Sequence, residues 1–313
     1  MDDKALDFNS ILSSCGAGSA PASTVAKNIA NLEEFYDSSE LVSIYNYCLL
    51  NLDDPELLVQ IIKLTDAHRA ASTLAILIDL LRIKTNDEND NDLESLINVR
   101  AMCAKAISNY KDPSTVMILL DCLNNKNENY KVRLACADAL GRIGDKYAVK
   151  PLIDVVEDED EKSVYLKESA TFALGLLGDT SAIEPLVAIL ESKQGFIDKF
   201  TFLKERIVEA LGKLNFHNKK VLKALKFSLM DPSPIVRINA IEAIMNSEDE
   251  DAVNLIRPCL NDDDDEVKKN ALIALYNLKG RDILEEVIAL PIYSEYIKSE
   301  ANQLMEEYED EDE

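Results

Sequence analysis

Histidine, cysteine and clustered carboxylates are the side chains from which this sequence could build a reactive site, and none is spaced for the purpose. The 2 histidines, His68 and His217, lie outside any HExxH sequence, and no P-loop, Gly-x-Ser-x-Gly or Cys/His zinc pattern occurs. The 6 cysteines form no CxxC pair. The acidic runs EDEDE (157–161) and DDDDE (262–266) lack the ligand spacing and central glycine of a calcium loop, and read as solvated turns. GAGSA (16–20) follows no strand and lacks a third glycine, so it reads as a linker. Lys219, Lys220, Lys223 and Lys226 share one helix, which reads as a solvated face rather than an anion site. No catalytic residue, metal, cofactor or small-molecule substrate is therefore expected.

Composition points to helices. Apolar residues make up 47% of the 313, whereas Gly and Pro number 9 each and Trp is absent, poor material for the turns and strands of a β protein. Lys and Arg number 33 against 58 Asp and Glu, a net charge of −25. Such a field repels phosphate backbones and disfavours nucleic acid, while it attracts proteins with basic surfaces. Residues 101–150 and 201–250 break the field slightly. No run approaches the 18 apolar residues of a membrane span, and the N-terminus lacks the basic and apolar segments of a signal peptide. With cysteines suited to buried, reduced positions, a cytoplasmic protein without membrane contact is expected.

The elements that hold these residues repeat. ALGRIGDKYAVKPLIDVV (139–156) echoes ALGLLGDTSAIEPLVAIL (173–190). An Ala followed by Leu or Ile recurs at Ala106, Ala139, Ala173, Ala210, Ala243 and Ala274, intervals of about 34 residues. Six residues before each stands a base: Arg100, Arg133, Lys167, Lys204, Arg237 and Lys268. Apolar or small residues at −1, +3, +6 and +7 around that base trace one helical face. Cys103 and Cys136 occupy the +3 position, as core residues would. A preceding helix begins near Thr115, Ala148, Ala182, Val221 and Ala252, and Asp112, Asp145 and Asp179 stand where they can cap three of these. Each unit is thus a hairpin of helix A and helix B.

A further column lies six residues before each base: Glu94, Asn127, Glu161, Asp198, Asp231 and Asp262. Asp, Glu and Asn make up about a quarter of the chain, so chance fills one or two of six such positions. An acid or amide in the A–B turn, paired with the base opening helix B, forms a ladder that ties successive turns together.

These residues resemble HEAT repeats, specifically the short HEAT-like form of the phycobilisome-lyase type, with its V-R-x-x-A-x-x-A-L-G-x-x-G-D-x-x-A-x-x-P-L pattern. The resemblance is closest at 132–156, 166–190 and 231–244 and covers about 92–290. Its Gly-Asp signature survives as Gly144-Asp145 and Gly178-Asp179 and decays to Lys111-Asp112 elsewhere. The resemblance implies an all-α fold, a right-handed α-solenoid of stacked antiparallel hairpins. HEAT-like deoxyhypusine hydroxylases hold iron through repeated His-Glu pairs. Here the pairs read His68-Arg69 and His217-Asn218, and that activity is not expected.

The expected layout is a flexible segment at 1–30 and degenerate capping helices at 31–65, with 40–64 as one hairpin. A repeat array follows over 66–302, in units 66–111, 112–144, 145–178, 179–216, 217–247 and 248–280 with terminal helices 281–302. Residues 66–84 are expected to form a long helix A, and 303–313 an acidic disordered tail. The expected function is a non-enzymatic scaffold that binds a basic protein partner on its curved repeat surface. The alternative is an accessory subunit of a phycobilin-lyase-like or other modifying enzyme, which needs an apolar groove ringed by bases. Lys105, Phe172, Arg206, Lys213 and Ile273 are the candidate partner-binding residues. Phe172 and Ile273, at +5 from the ladder base, either anchor a partner or pack on the next repeat.

Overall fold

The computed structural model describes residues 6–83, 93–191, 201–214, 218–247 and 250–309. It is all-helical among those residues, and its contacts divide the chain into two compact units, Met1–Pro151 and Leu152–Glu313. Each is a stack of antiparallel helical hairpins, the α-solenoid class. The first contains α1 (Phe8–Ser14), α2 (Ala22–Ala30), α3 (Ser38–Asn51), α4 (Pro55–Leu64), α5 (Ala71–Leu81), α6 (Leu93–Tyr110), α7 (Val116–Asn124) and α8 (Tyr130–Ile143). The division falls inside α9 (Val149–Glu157). The second contains α10 (Val164–Leu177), α11 (Ile183–Leu190), α12 (Thr201–Leu214), α13 (Lys219–Ser228), α14 (Pro234–Met245), α15 (Ala252–Ile256), α16 (Asp265–Lys279), α17 (Arg281–Ala289) and α18 (Glu295–Glu309).

The repeated residues explain the hairpins. Helix B ends at Gly144 or Gly178, whose φ of 85° and 67° lets the chain turn left-handed and the glycine N–H return to Leu140 or Leu174. The aspartate that follows caps a single 3-10 turn before helix A proper: Asp145 Oδ1 accepts from Tyr147 N and Asp179 Oδ1 from Ser181 N, both at 2.9 Å. Where the signature decays, Lys111 takes the left-handed position with φ 49°, and Asp112 still caps through Ser114 N at 2.9 Å.

Helices B stack on one another, α10 on α12, α12 on α14 and α14 on α16, with α6 on α8 in the first unit. The Ala-Leu-Gly triplet permits the close approach. A Cβ on Gly175 would lie 3.2 Å from Ala210 Cα, and one on Gly212 only 2.7 Å from Ala243 Cβ. Gly212→Ala is therefore expected to destabilise the second unit by about 1–3 kcal/mol, the usual cost of overpacking. Thermal melting checks it, with an unchanged midpoint counting against so close a helix contact.

Three boundaries differ from expectation. Residues 8–14 and 22–30 are helical, not loose. Asp7 caps α1 through Ser10 N at 3.2 Å, and Phe8 stacks on Tyr47 with ring centroids 4.7 Å apart. Ile11, Leu12, Cys15, Val25, Ala26 and Ile29 are buried, with α2 packed on α4. This pair, rather than 31–65, covers the N-terminal end of the first unit. The helix expected from 66 starts at Ala71, because residues 66–69 turn: Arg69 Nε donates to the Asp66 carbonyl and carboxylate, each at 2.9 Å. At the other end α18 runs to Glu309, held by buried Ile297 and Ala301, so helix replaces the expected disorder over 303–309.

Candidate functional site

The ladder residues lie at the A–B turns, and their geometry has two parts. Backwards, Arg100, Arg133 and Lys167 satisfy carbonyls at or just past the end of their own helix A, where the helix dipole favours a cation. Arg100 Nε donates to Leu81 O at 2.9 Å, Arg133 Nε to Leu123 O at 2.9 Å, and Lys167 Nζ to Val156 O at 3.1 Å and Asp158 O at 2.6 Å. Forwards, the base reaches the acid in the next turn. Arg100 grips Glu128 with both Nη atoms, at 2.9 and 2.6 Å. Lys204 Nζ meets Asp231 Oδ2 at 3.0 Å, and Arg237 holds Asp262 through Nε at 2.9 Å and Nη2 at 2.6 Å. Asp231 and Asp262 also accept backbone N–H groups of their own turns, from Ser233 and Asp264.

The register of the column needs correction at several positions. The acid facing Arg100 is Glu128, while Asn127 donates its backbone N–H to Asn125 Oδ1. Glu94 pairs instead with Lys131 at 2.8 Å on an exposed edge. Glu161 keeps the expected place, accepting from Ser163 N at 2.9 Å as Asp231 and Asp262 accept in their turns. Lys268 bonds Asp265 on its own helix at 2.7 Å. Asp198 lies outside the described residues. In the acid runs at 157–161 and 262–266, Asp158, Glu161, Asp262 and Asp264 accept turn N–H groups, and Asp262 and Asp265 also meet ladder bases. Among the described residues no three His, Cys, Asp or Glu side chains come together as metal ligands would.

Several of the other singled-out residues have structural partners. His68 Nδ1 shares a 2.9 Å hydrogen bond with Ser38 Oγ, and its Nε2 lies 3.6 Å from Glu33. His217 lies outside the described residues. Lys220 and Lys223 on α13 pair with Glu184 at 2.5 Å and Glu191 at 3.5 Å while staying exposed. All 6 cysteines are free and buried.

Two faces remain. On α10, α12 and α14 the residues two before the ladder base are Tyr165, Phe202 and Ile235. Tyr165 and Ile235 are 59% and 53% exposed, and Tyr165 stacks on Phe202 with centroids 5.7 Å apart and planes within 17°. One turn on, at +1, stand Glu168, Glu205 and Ile238, so an acidic row lies beside an apolar one. Arg206 bridges Glu168 at 3.1 Å and Glu209 at 2.5 Å, and Lys213 bonds Glu209 at 2.5 Å. Both cations cover Phe172, at 5.3 and 5.6 Å from its ring centroid. Phe172 therefore packs against the next repeat and is not a free anchor. Ile273 is half-buried on α16. Burial pushes the Glu209 carboxyl up, but hydrogen bonds from Lys213 and Arg206 hold it below the ordinary carboxylate value. Glu205 goes the other way: burial raises it, and Glu168 adds to the rise against the pull of the nearby Arg206 charge. Among the described residues no cation is bonded to Glu205, a half-buried carboxylate beside the stacked pair of exposed Tyr165 and half-buried Phe202. Sequence reasoning missed this row because it followed the +5 column, although Tyr165, Phe202 and Ile235 are legible at −2.

The second face is a groove of about 680 Å³ between α4, α6 and α8. Val59, Ala101, Met102, Leu134 and Ala135 provide its apolar lining, and Lys105, Lys131 and Arg142 its bases.

A family model of HEAT repeats matches residues 93–166, 123–199 and 198–276, together more than half of the chain. A comparison with curated proteins finds no match. Among solved structures, the Escherichia coli protein YibA is similar over 97% of this chain and 99% of its own, at 14% identity and a TM-score of 0.52. An engineered protein is similar over 95% of this chain and 87% of its own, at 18% identity and 0.51. The complex of CpcE and CpcF of phycocyanin lyase from Nostoc sp. is similar over 73% of this chain and 92% of that one, at 21% identity and 0.47. At these identities the likenesses show the fold alone. No helix among the described residues is long and apolar enough to cross a membrane.

Proposed function

Because this chain belongs to the HEAT-repeat family, we propose that it is a non-enzymatic scaffold that binds a protein partner with a basic surface on the α10–α12–α14 face. The observation that carries this reading is the row of Tyr165, Phe202 and Ile235 alongside Glu168 and Glu205. Exposed aromatic side chains supply contact area at low entropic cost, and a half-buried carboxylate without a bonded cation gives a lysine or arginine something to pair with. A net charge of −25 speeds the encounter and makes it salt-sensitive. The non-enzymatic part of the reading is supported by the charged residues themselves, whose ladder positions are consumed in holding turns together.

The test is parallel capture from lysate of the source cells by the native chain and by a Tyr165→Ala/Glu205→Gln chain. A basic protein retained at low salt, released at high salt and lost from the variant supports the reading. Retention of the same proteins by the variant overturns it for this face. The pH dependence has a definite sign. Glu205 is held above the ordinary carboxylate value, so it takes up a proton earlier than other carboxylates as the pH falls. Only its ionised form pairs with a cation, so affinity for the partner drops as the pH descends through that raised range. In Glu205→Gln that component of the pH profile, read by titration calorimetry, disappears.

A further inference from the structure

The groove between α4, α6 and α8 has the opposite character from the face just described. In a chain with an excess of 25 negative charges, Lys105 on α6 and Arg142 on α8 are exposed and line one concavity. Among the described residues neither is bonded to a carboxylate. Several other cations of this protein are matched: Lys131, on the same groove, pairs with Glu94, and Lys220, Arg206 and Lys213 all meet glutamates. The Lys131–Glu94 pair is itself exposed, at 39% and 76%, so it is weak and can be exchanged for another carboxylate. Glu56 on α4 and Asp138 on α8 are the acids lining the groove. Between the charges Val59, Met102 and Leu134 are half-buried, and Ala101 and Ala135 keep the floor low. About 680 Å³ of such space falls within the range of binding clefts.

We propose that this groove binds an acidic amphipathic segment of a second protein. Its apolar side chains lie on Val59, Met102 and Leu134, and its carboxylates are met by Lys105 and Arg142. Charge decides the occupant. A basic segment would leave the two cations facing like charge, whereas an acidic one is drawn to two bases that line one apolar groove and, among the described residues, have no carboxylate partner. The site is separate in residues and in sign from the α10–α12–α14 face, so it does not rest on the basic-partner reading.

The experiment uses the full chain and two short fluorescein-labelled peptides, one alternating Leu with Glu and one alternating Leu with Lys, followed by fluorescence anisotropy. The Leu/Glu peptide is expected to bind saturably, and Lys105→Glu/Arg142→Glu to weaken it at least tenfold without altering the circular dichroism of the protein. Tyr165→Ala/Glu205→Gln leaves it unchanged. The Leu/Lys peptide shows the reverse pattern of sensitivity. Absence of saturable Leu/Glu binding, or equal binding by the charge-reversed chain, overturns the proposal. If either of those results comes with Leu/Lys binding that depends on Glu205, the basic-partner reading stands while this one falls.

Discussion

Replacing Arg100 by alanine is expected to lower the stability of the first unit by about 3–5 kcal/mol, the cost of leaving one partner of a buried ion pair alone. The side chains of Arg100 and Glu128 are only 4% and 9% exposed, and the guanidinium also satisfies the carbonyl of Leu81 at the end of α5. Removal strands both the carboxylate and the carbonyl. Arg100→Lys keeps the charge but not the fork, and loses part of that stability because an ammonium cannot take two carboxylate oxygens and the carbonyl in one plane. Arg100→Met combined with Glu128→Leu recovers most of the loss, since no buried charge then remains unmatched. Denaturant unfolding of the three chains separates these outcomes. A double variant as unstable as Arg100→Ala would mean that the loss comes from packing rather than from the stranded charge.

Deleting residues 1–30 is expected to be at least as damaging. Val25 and Ile29 are 1% and 0% exposed, and at about 1.5–3 kcal/mol for each fully buried side chain they alone contribute about 3–6 kcal/mol. That compares with about 5–15 kcal/mol for the whole stability of an ordinary domain. The deletion also uncovers the face of α4 on which α2 packs, leaving apolar surface open to aggregation. A lower melting temperature and a loss of solubility are the expected readouts. A truncated chain that melts with the native one would restore the reading of 1–30 as a loose leader.

Local periodicity settled most of the architecture. The recurring base with apolar residues at −1, +3, +6 and +7 marks helix B, and the buried residues of α8, α10 and α16 include Val132, Leu166 and Val267 at −1 and Cys136, Ala170 and Ala271 at +3. The Gly-Asp pairs mark where one helix must end and the next begin, because a left-handed turn and an N-cap are requirements of the backbone itself. Both are encoded within a few residues, so both are legible without a structure.

What sequence could not decide depends on groups far apart along the chain. Neighbouring polar residues in one turn, Asn127 and Glu128, are equivalent in spacing arguments, yet Glu128 is the one that meets Arg100. Phe172 could have faced solvent or the next repeat, and only the approach of Arg206 and Lys213 from α12 covers it. Helices as short as α1 and α2 are marginal in isolation, so composition read them as part of a flexible segment. They persist because Phe8 finds Tyr47 and α2 finds α4. The groove of Lys105 and Arg142 likewise exists only where α4, α6 and α8 meet. Sequence alone determined the repeating unit, since its signals are short-range. Tertiary packing determined which charges are satisfied within the protein and which are not, since that choice rests on distances between repeats.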